Sequence, residues 1–141
     1  MIISARVHYS CLAMSELAAR QDENTPVAAG DISERHGIPG PFLNQILRTL
    51  RAAGWVQSSR GSQGGYRLIV DPATITLLDI ADEVGCQETQ DRRETNPTPA
   101  GESLQAIWET ASESARAVLS RTTLADLVDR CKEDSGVMFY I

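Results

Sequence analysis

The chain has 141 residues, 42% hydrophobic and 23% charged, which suits one domain, or one small domain with a helical appendage, and excludes a disordered chain. It has no apolar run that could span a bilayer, and its start, Met1 to Arg6, lacks a secretion signal, so a cytoplasmic location is expected. Cys11, Cys86 and Cys131 are odd in number and far apart, which excludes a disulfide framework and a compact four-cysteine metal site.

The net charge of −6 is unevenly spread. Residues 1–70 carry seven Arg against five acids, and residues 71–141 carry six basic groups against fourteen acids. Residues 40–70 hold four Arg and no acid at all. Total charge governs solubility, whereas local patches decide whether phosphates are attracted. Twelve of the thirteen basic residues are Arg, whose planar fork suits bidentate contact with phosphate or guanine.

From Ser4 to about Arg20, the residues Val7, Cys11, Met14 and Ala18 recur at helical spacing, with Leu12 and Leu17 beside them. The polar stretch from Gln21 to Pro26 breaks the pattern. A short helix is predicted from Ala28 to His36, terminated by Gly37. The sequence Ile38-Pro39-Gly40-Pro41 makes a tight connection, with Pro41 in the first turn of a helix running to about Ala53. On that helix Leu43, Ile46, Leu47 and Leu50 share one face, with Phe42 at its edge. The opposite face carries Pro41, Asn44, Gln45, Arg48 and Ala52, and Arg51 lies at its border.

After Gly54, Trp55 to Ser58 reads as a strand, Arg60 to Gly65 as a glycine-rich turn and Tyr66 to Val70 as the return strand. Thr76 and Asp79 form a capping-box pattern that opens a short helix to about Val84. The polar stretch from Gly85 to Pro97 reads as a loop. Thr98 and Pro99 then open a longer helix to about Arg121, with an apolar stripe of Leu104, Ile107, Trp108, Ala111, Ala115, Val118 and Leu119. Thr123 and Asp126 repeat the capping-box pattern before a short last helix.

This order predicts a mainly α fold with a small β-hairpin wing. Its parts are a winged helix-turn-helix domain over residues 1–84, a loop over 85–98 and a helical dimerisation region over 99–141. An α-helix fits the major groove of duplex DNA, and its exposed face must then carry side chains that read base edges. Asn44 and Gln45 suit bidentate pairing with adenine, and Arg48 suits guanine or phosphate. The glycine turn would let the hairpin approach the sugar–phosphate wall, with Arg60 reaching the minor groove. A merely solvated helix face is the competing reading of the same polar residues. The glycines match no phosphate-cradling motif and open no helix.

Residues 4–85 resemble the Rrf2 family of bacterial winged-helix repressors, the IscR, NsrR and CymR type. The carrying motifs are Arg6-Val7-His8-Tyr9-Ser10, the run from Ile38 to Leu47, the run from Leu50 to Val56 and, above all, Ser58-Ser59-Arg60-Gly61-Ser62-Gln63-Gly64-Gly65-Tyr66-Arg67-Leu68. The runs Ile75 to Ile80 and Thr123 to Leu127 also match. The resemblance implies a homodimeric transcription regulator that binds a palindromic operator in double-stranded DNA. It implies DNA contacts from Pro39, Gly40, Pro41, Asn44, Gln45, Arg48, Arg51, Ser58, Arg60, Gly61, Gly64, Gly65 and Tyr66, with dimerisation through the stripe from Leu104 to Leu119.

Family members often sense through an iron–sulfur cluster held by three cysteines in the loop before the long helix. Here only Cys86 remains in that loop, and a cluster normally needs about four protein ligands. No cofactor and no metal are therefore expected. The alternatives are a thiol- or metal-responsive sensor built on Cys86 and His8, and a winged-helix module that binds protein. No nucleophile–base pair or metal-ligand spacing suggests an enzyme. Cys11, on an apolar stripe, is expected in the core. His36 is expected to complement the dipole of its helix, and Asp79, Asp82 and Glu83 to cap or be solvated.

Overall fold

The computed structural model describes residues 3–85 and 98–138. Its elements in chain order are α1 (Ala5–Ala19), α2 (Ala29–His36), α3 (Gly40–Ala52), β1 (Val56–Ser59), β2 (Gly65–Leu68), α4 (Leu77–Val84), α5 (Pro99–Ser120) and α6 (Leu124–Met138). Single 3₁₀ turns at Gln21–Glu23 and Pro72–Thr74 complete the path. No helix among the described residues is long and apolar enough to cross a membrane.

Local signals place most of the helix ends. Ser4 accepts a hydrogen bond from the Val7 amide and starts α1. Thr76 and Asp79 form the expected reciprocal capping box on α4, and Thr98 accepts from the Gly101 amide on α5. Thr123 and Asp126 cap α6 in the same reciprocal way. The starts of α4 and α6 are stitched side by side, because the Leu77 amide donates to Thr122 O and the Leu124 amide donates to Ile75 O. The last helix is therefore longer than predicted: it packs along α1 and sinks Leu124 and Val128.

The core is one cluster: Met14 and Leu17 from α1, Ile32 from α2, four residues of α3, Val56, Leu68, Ile80 and Leu124. Leu43, Ile46, Leu47 and Leu50 are all fully buried, as the spacing on α3 predicts. The hairpin pairs Val56 with Leu68, Gln57 with Arg67, Ser58 with Tyr66 and Ser59 with Gly65. The first strand is shifted one residue from its predicted limits, and the second begins one residue early, at Gly65, and ends two residues early, at Leu68. The Trp55 amide is spent closing α3 on Leu50 O, so the strand proper begins after it.

Three sequence expectations need correction. His36 does not merely face a helix dipole: its Nε2 lies 3.2 Å from Glu16, a buried carboxylate on α1 that Arg35 also reaches at 3.3 Å. Asp82 is not simply solvated but forms a two-pronged ion pair with Arg116, at 3.0 and 3.2 Å, joining α4 to α5. Leu119 leaves the outward stripe of α5, because it lines an apolar groove with Val7, Leu12, Leu77 and Leu127 of the same chain. The rest of α5 stands off the core, and none of its 22 residues is buried.

Candidate nucleic-acid interface

Helix α3 presents Asn44, Gln45 and Arg48 to solvent while its opposite face is sealed in the core. Pro39 precedes the helix without giving it a side-chain cap, and Pro41 occupies its first turn. Phe42 is half-buried and meets Tyr9 of α1 edge-on, with ring centroids 5.6 Å apart, which fixes the start of α3.

The four arginines of the acid-free stretch divide into two pairs. Arg51 donates to Ser58 Oγ at 3.3 Å in an exposed bond, so the end of α3 and the base of the hairpin share one surface. Arg67 donates to Asn24 Oδ1 at 2.7 Å and is occupied with holding the wing. Arg48 and Arg60 are exposed and make no hydrogen bond or ion pair among the described residues. No carboxylate between residues 35 and 70 competes for them. These two guanidiniums are available to an external anion.

The wing is held rigidly at its root. Val27, just before α2, exchanges both backbone hydrogen bonds with Tyr66, each 2.8 Å long. Gln21 Nε2 donates to Leu68 O at the end of the return strand and to Val70 O just beyond it. A side chain at Gly65 would place its Cβ 2.4 Å from Val27 O, and one at Gly64 would sit 2.3 Å from Ser59 O. Glycine is thus demanded at both positions by the chain's own backbone. Gly61, with φ of 108°, sits at the exposed tip. The Tyr66 side chain is half-buried against the core.

Sequence reasoning missed this anchoring set of Gln21, Asn24, Val27 and Arg67. Partners about 40 residues apart leave no local spacing to read; Pro26, which ends the turn before Val27, was the only hint.

Of the residues considered for sensing, His8 is exposed and Cys86 lies outside the described residues. Cys11 is half-buried in the groove, where burial pushes its thiol up to about 11. Among the described residues no group of three His, Cys, Asp or Glu side chains could hold a metal ion. Thiol chemistry should follow this contrast. At neutral pH iodoacetamide is expected to label exposed Cys131 well before Cys11, because the thiolate is the nucleophile. Peptide mass spectrometry over a time course reads the order, and equal rates would contradict the burial of Cys11.

A helix with a sealed apolar face and an exposed Asn–Gln–Arg face, flanked by a fixed two-stranded wing, defines a winged helix-turn-helix regulator. Known proteins agree. Residues 3–130 match the Rrf2 family, described as iron-dependent transcriptional regulators. The regulator CymR of Bacillus subtilis is 32% identical over 142 residues, covering 100% of each chain. An HTH-type regulator of Synechocystis is 42% identical over 80 residues, covering 57% of this chain and 54% of that one. The solved structure of T. potens IscR superposes with a TM-score of 0.77 at 33% identity, covering 95% of this chain and 90% of that one. The chain belongs to the Rrf2 family of DNA-binding transcriptional regulators.

Proposed function

We propose that the protein is a homodimeric, sequence-specific repressor, cytoplasmic, that acts on a palindromic operator without an iron–sulfur cluster. The observation that carries the reading is the pair of exposed guanidiniums, Arg48 on α3 and Arg60 in the wing, which have no hydrogen-bond or ion-pair partner among the described residues and lie in an acid-free stretch of sequence. Asn44 and Gln45 read bases in the major groove, Arg48 clamps guanine or phosphate, and Arg60 engages the backbone or minor groove from the wing. Arg51 and Ser58 brace helix to wing. Gly64, Gly65 and Tyr66 serve the interface by holding the hairpin in place.

The dimer reading rests on α5. Leu104, Ile107, Trp108 and Val118 are 46–56% exposed, and a monomer seldom leaves such a stripe in water. Two-fold symmetry then sets half-sites about one helical turn, or a small multiple, apart. The proposal of no cluster rests on the cysteine count: one thiol in the sensing loop, one half-buried thiol whose pKa is raised by burial and one near the C-terminus. That set falls short of the roughly four ligands a cluster takes.

Fluorescence anisotropy on duplex DNA from upstream of the protein's own gene tests the reading. Four phosphate contacts in a dimer predict a loss of about 100-fold in affinity between about 50 and 200 mM salt. Arg60→Ala should weaken binding about tenfold and flatten that slope while leaving the dimer intact. Binding that ignores salt, or no retention of any promoter fragment, would favour a protein-binding module instead.

A further inference from the structure

We propose that Arg6, on α1, is a positioning residue for base readout by α3. The proposal rests on the reading of α3 as the DNA-reading helix. Arg6 is half-buried and joins two further helices at once. Its Nε donates to Val84 O at 2.8 Å, at the C-terminal end of α4. Its Nη2 donates to Thr49 Oγ1 at 3.1 Å, toward the C-terminal end of α3. Thr49 Oγ1 donates in turn to Gln45 O at 3.2 Å.

The chemistry of this relay leaves it one direction. A guanidinium has only donors, so Thr49 must accept from Arg6. The single hydroxyl hydrogen is then turned toward Gln45 O, where the bond from residue i to i−4 biases the local bend of a helix. At its other end the cation sits on the terminal carbonyl of α4, at the negative pole of that helix. The planar fork spans both acceptors in a fixed geometry, which the point charge of a lysine would not reproduce.

The consequence falls on Gln45 and its neighbours. Burial of Leu43, Ile46, Leu47 and Leu50 holds α3 against the core but is non-directional, so it permits small rolls about the helix axis. Thr49 stands on the border between that buried face and the exposed face of Gln45 and Arg48. A directional bond there fixes the roll. Bidentate base contacts tolerate little misplacement, whereas phosphate contacts from flexible arginines tolerate more. Loss of the relay should therefore cost sequence preference before it costs general affinity for DNA.

The test uses the full chain and a pool of random-sequence duplexes, with selected and unselected duplexes then compared in binding assays. Thr49→Val keeps the side-chain shape and removes the hydroxyl; Thr49→Ser keeps the hydroxyl. Thr49→Val is expected to lower discrimination between selected and unselected duplexes about tenfold, with affinity for the unselected pool unchanged. Thr49→Ser should retain the preference, and Arg6→Met should match Thr49→Val without adding to it in the double variant. Undiminished discrimination in Thr49→Val overturns the proposal, as does an equal fall in Thr49→Ser accompanied by a lower melting temperature. A parent chain that selects no sequence at all would instead strike the DNA-reading assignment of α3, so the two failures are distinguishable.

Discussion

Gly65→Ala is expected to lower the stability of the protein by about 2–4 kcal/mol and to abolish tight DNA binding. The reason is steric. The new Cβ would lie 2.4 Å from Val27 O and 2.9 Å from Ala28 N, distances that backbone atoms cannot tolerate. The strand must move away, which breaks the two Val27–Tyr66 hydrogen bonds of 2.8 Å. Each such bond contributes about 1 kcal/mol, and each peptide group left buried without a partner costs about 1–3 kcal/mol. The wing would lose its register with α2, and Arg60 would no longer be presented beside α3. Gly30→Ala supplies the contrast, since nothing lies within 4 Å of that position in α2. Alanine there should raise stability by up to about 1 kcal/mol. Chemical denaturation of both variants checks the pair; equal stabilities would mean that the wing root is not held by Val27.

What could be read in the sequence, and what could not, follows from the range of each interaction. The sealed and exposed faces of α3 were legible because a period of 3.6 residues sorts Leu43, Ile46, Leu47 and Leu50 from Asn44, Gln45 and Arg48 within a few turns. Thr76, Thr98 and Thr123 announced their helices because a cap and its partner amide lie within three residues. The roles of His36, Asp82 and Leu119 were not legible. Each is set by a partner on another helix: Glu16 for His36, Arg116 for Asp82, and the apolar groove for Leu119. The interface shows the same division. The exposure of Arg48 and Arg60 was foreseeable, while the capture of Arg67 by Asn24 was not. Together with the Arg51–Ser58 bond, that capture halves the apparent arginine surplus: of the four cations counted between residues 40 and 70, Arg67 holds the wing and Arg51 braces it.

Trp108→Asp is expected to turn the protein into a monomer while leaving its domain folded. Trp108 is half exposed and belongs to no part of the core cluster, so its replacement leaves that core intact. In a symmetric dimer built on α5, however, it would lie in a seam with Leu104 and Ile107, and the same seam would receive a carboxylate from each chain. Burying an unpaired charge in an apolar contact is strongly unfavourable, and aromatic anchors of this kind contribute about 2–4 kcal/mol to an interface. A monomer engages one half-site only, so affinity for a palindromic duplex should fall at least about 100-fold as the second, effectively intramolecular contact disappears. Size-exclusion chromatography with light scattering reads the mass, and anisotropy on full-site and half-site duplexes reads the binding. A Trp108→Asp protein that remains dimeric and binds the full site normally would remove α5 as the dimer seam. A monomer with unimpaired affinity would show that each half-site is bound independently, and the case for a palindromic operator would fall with it.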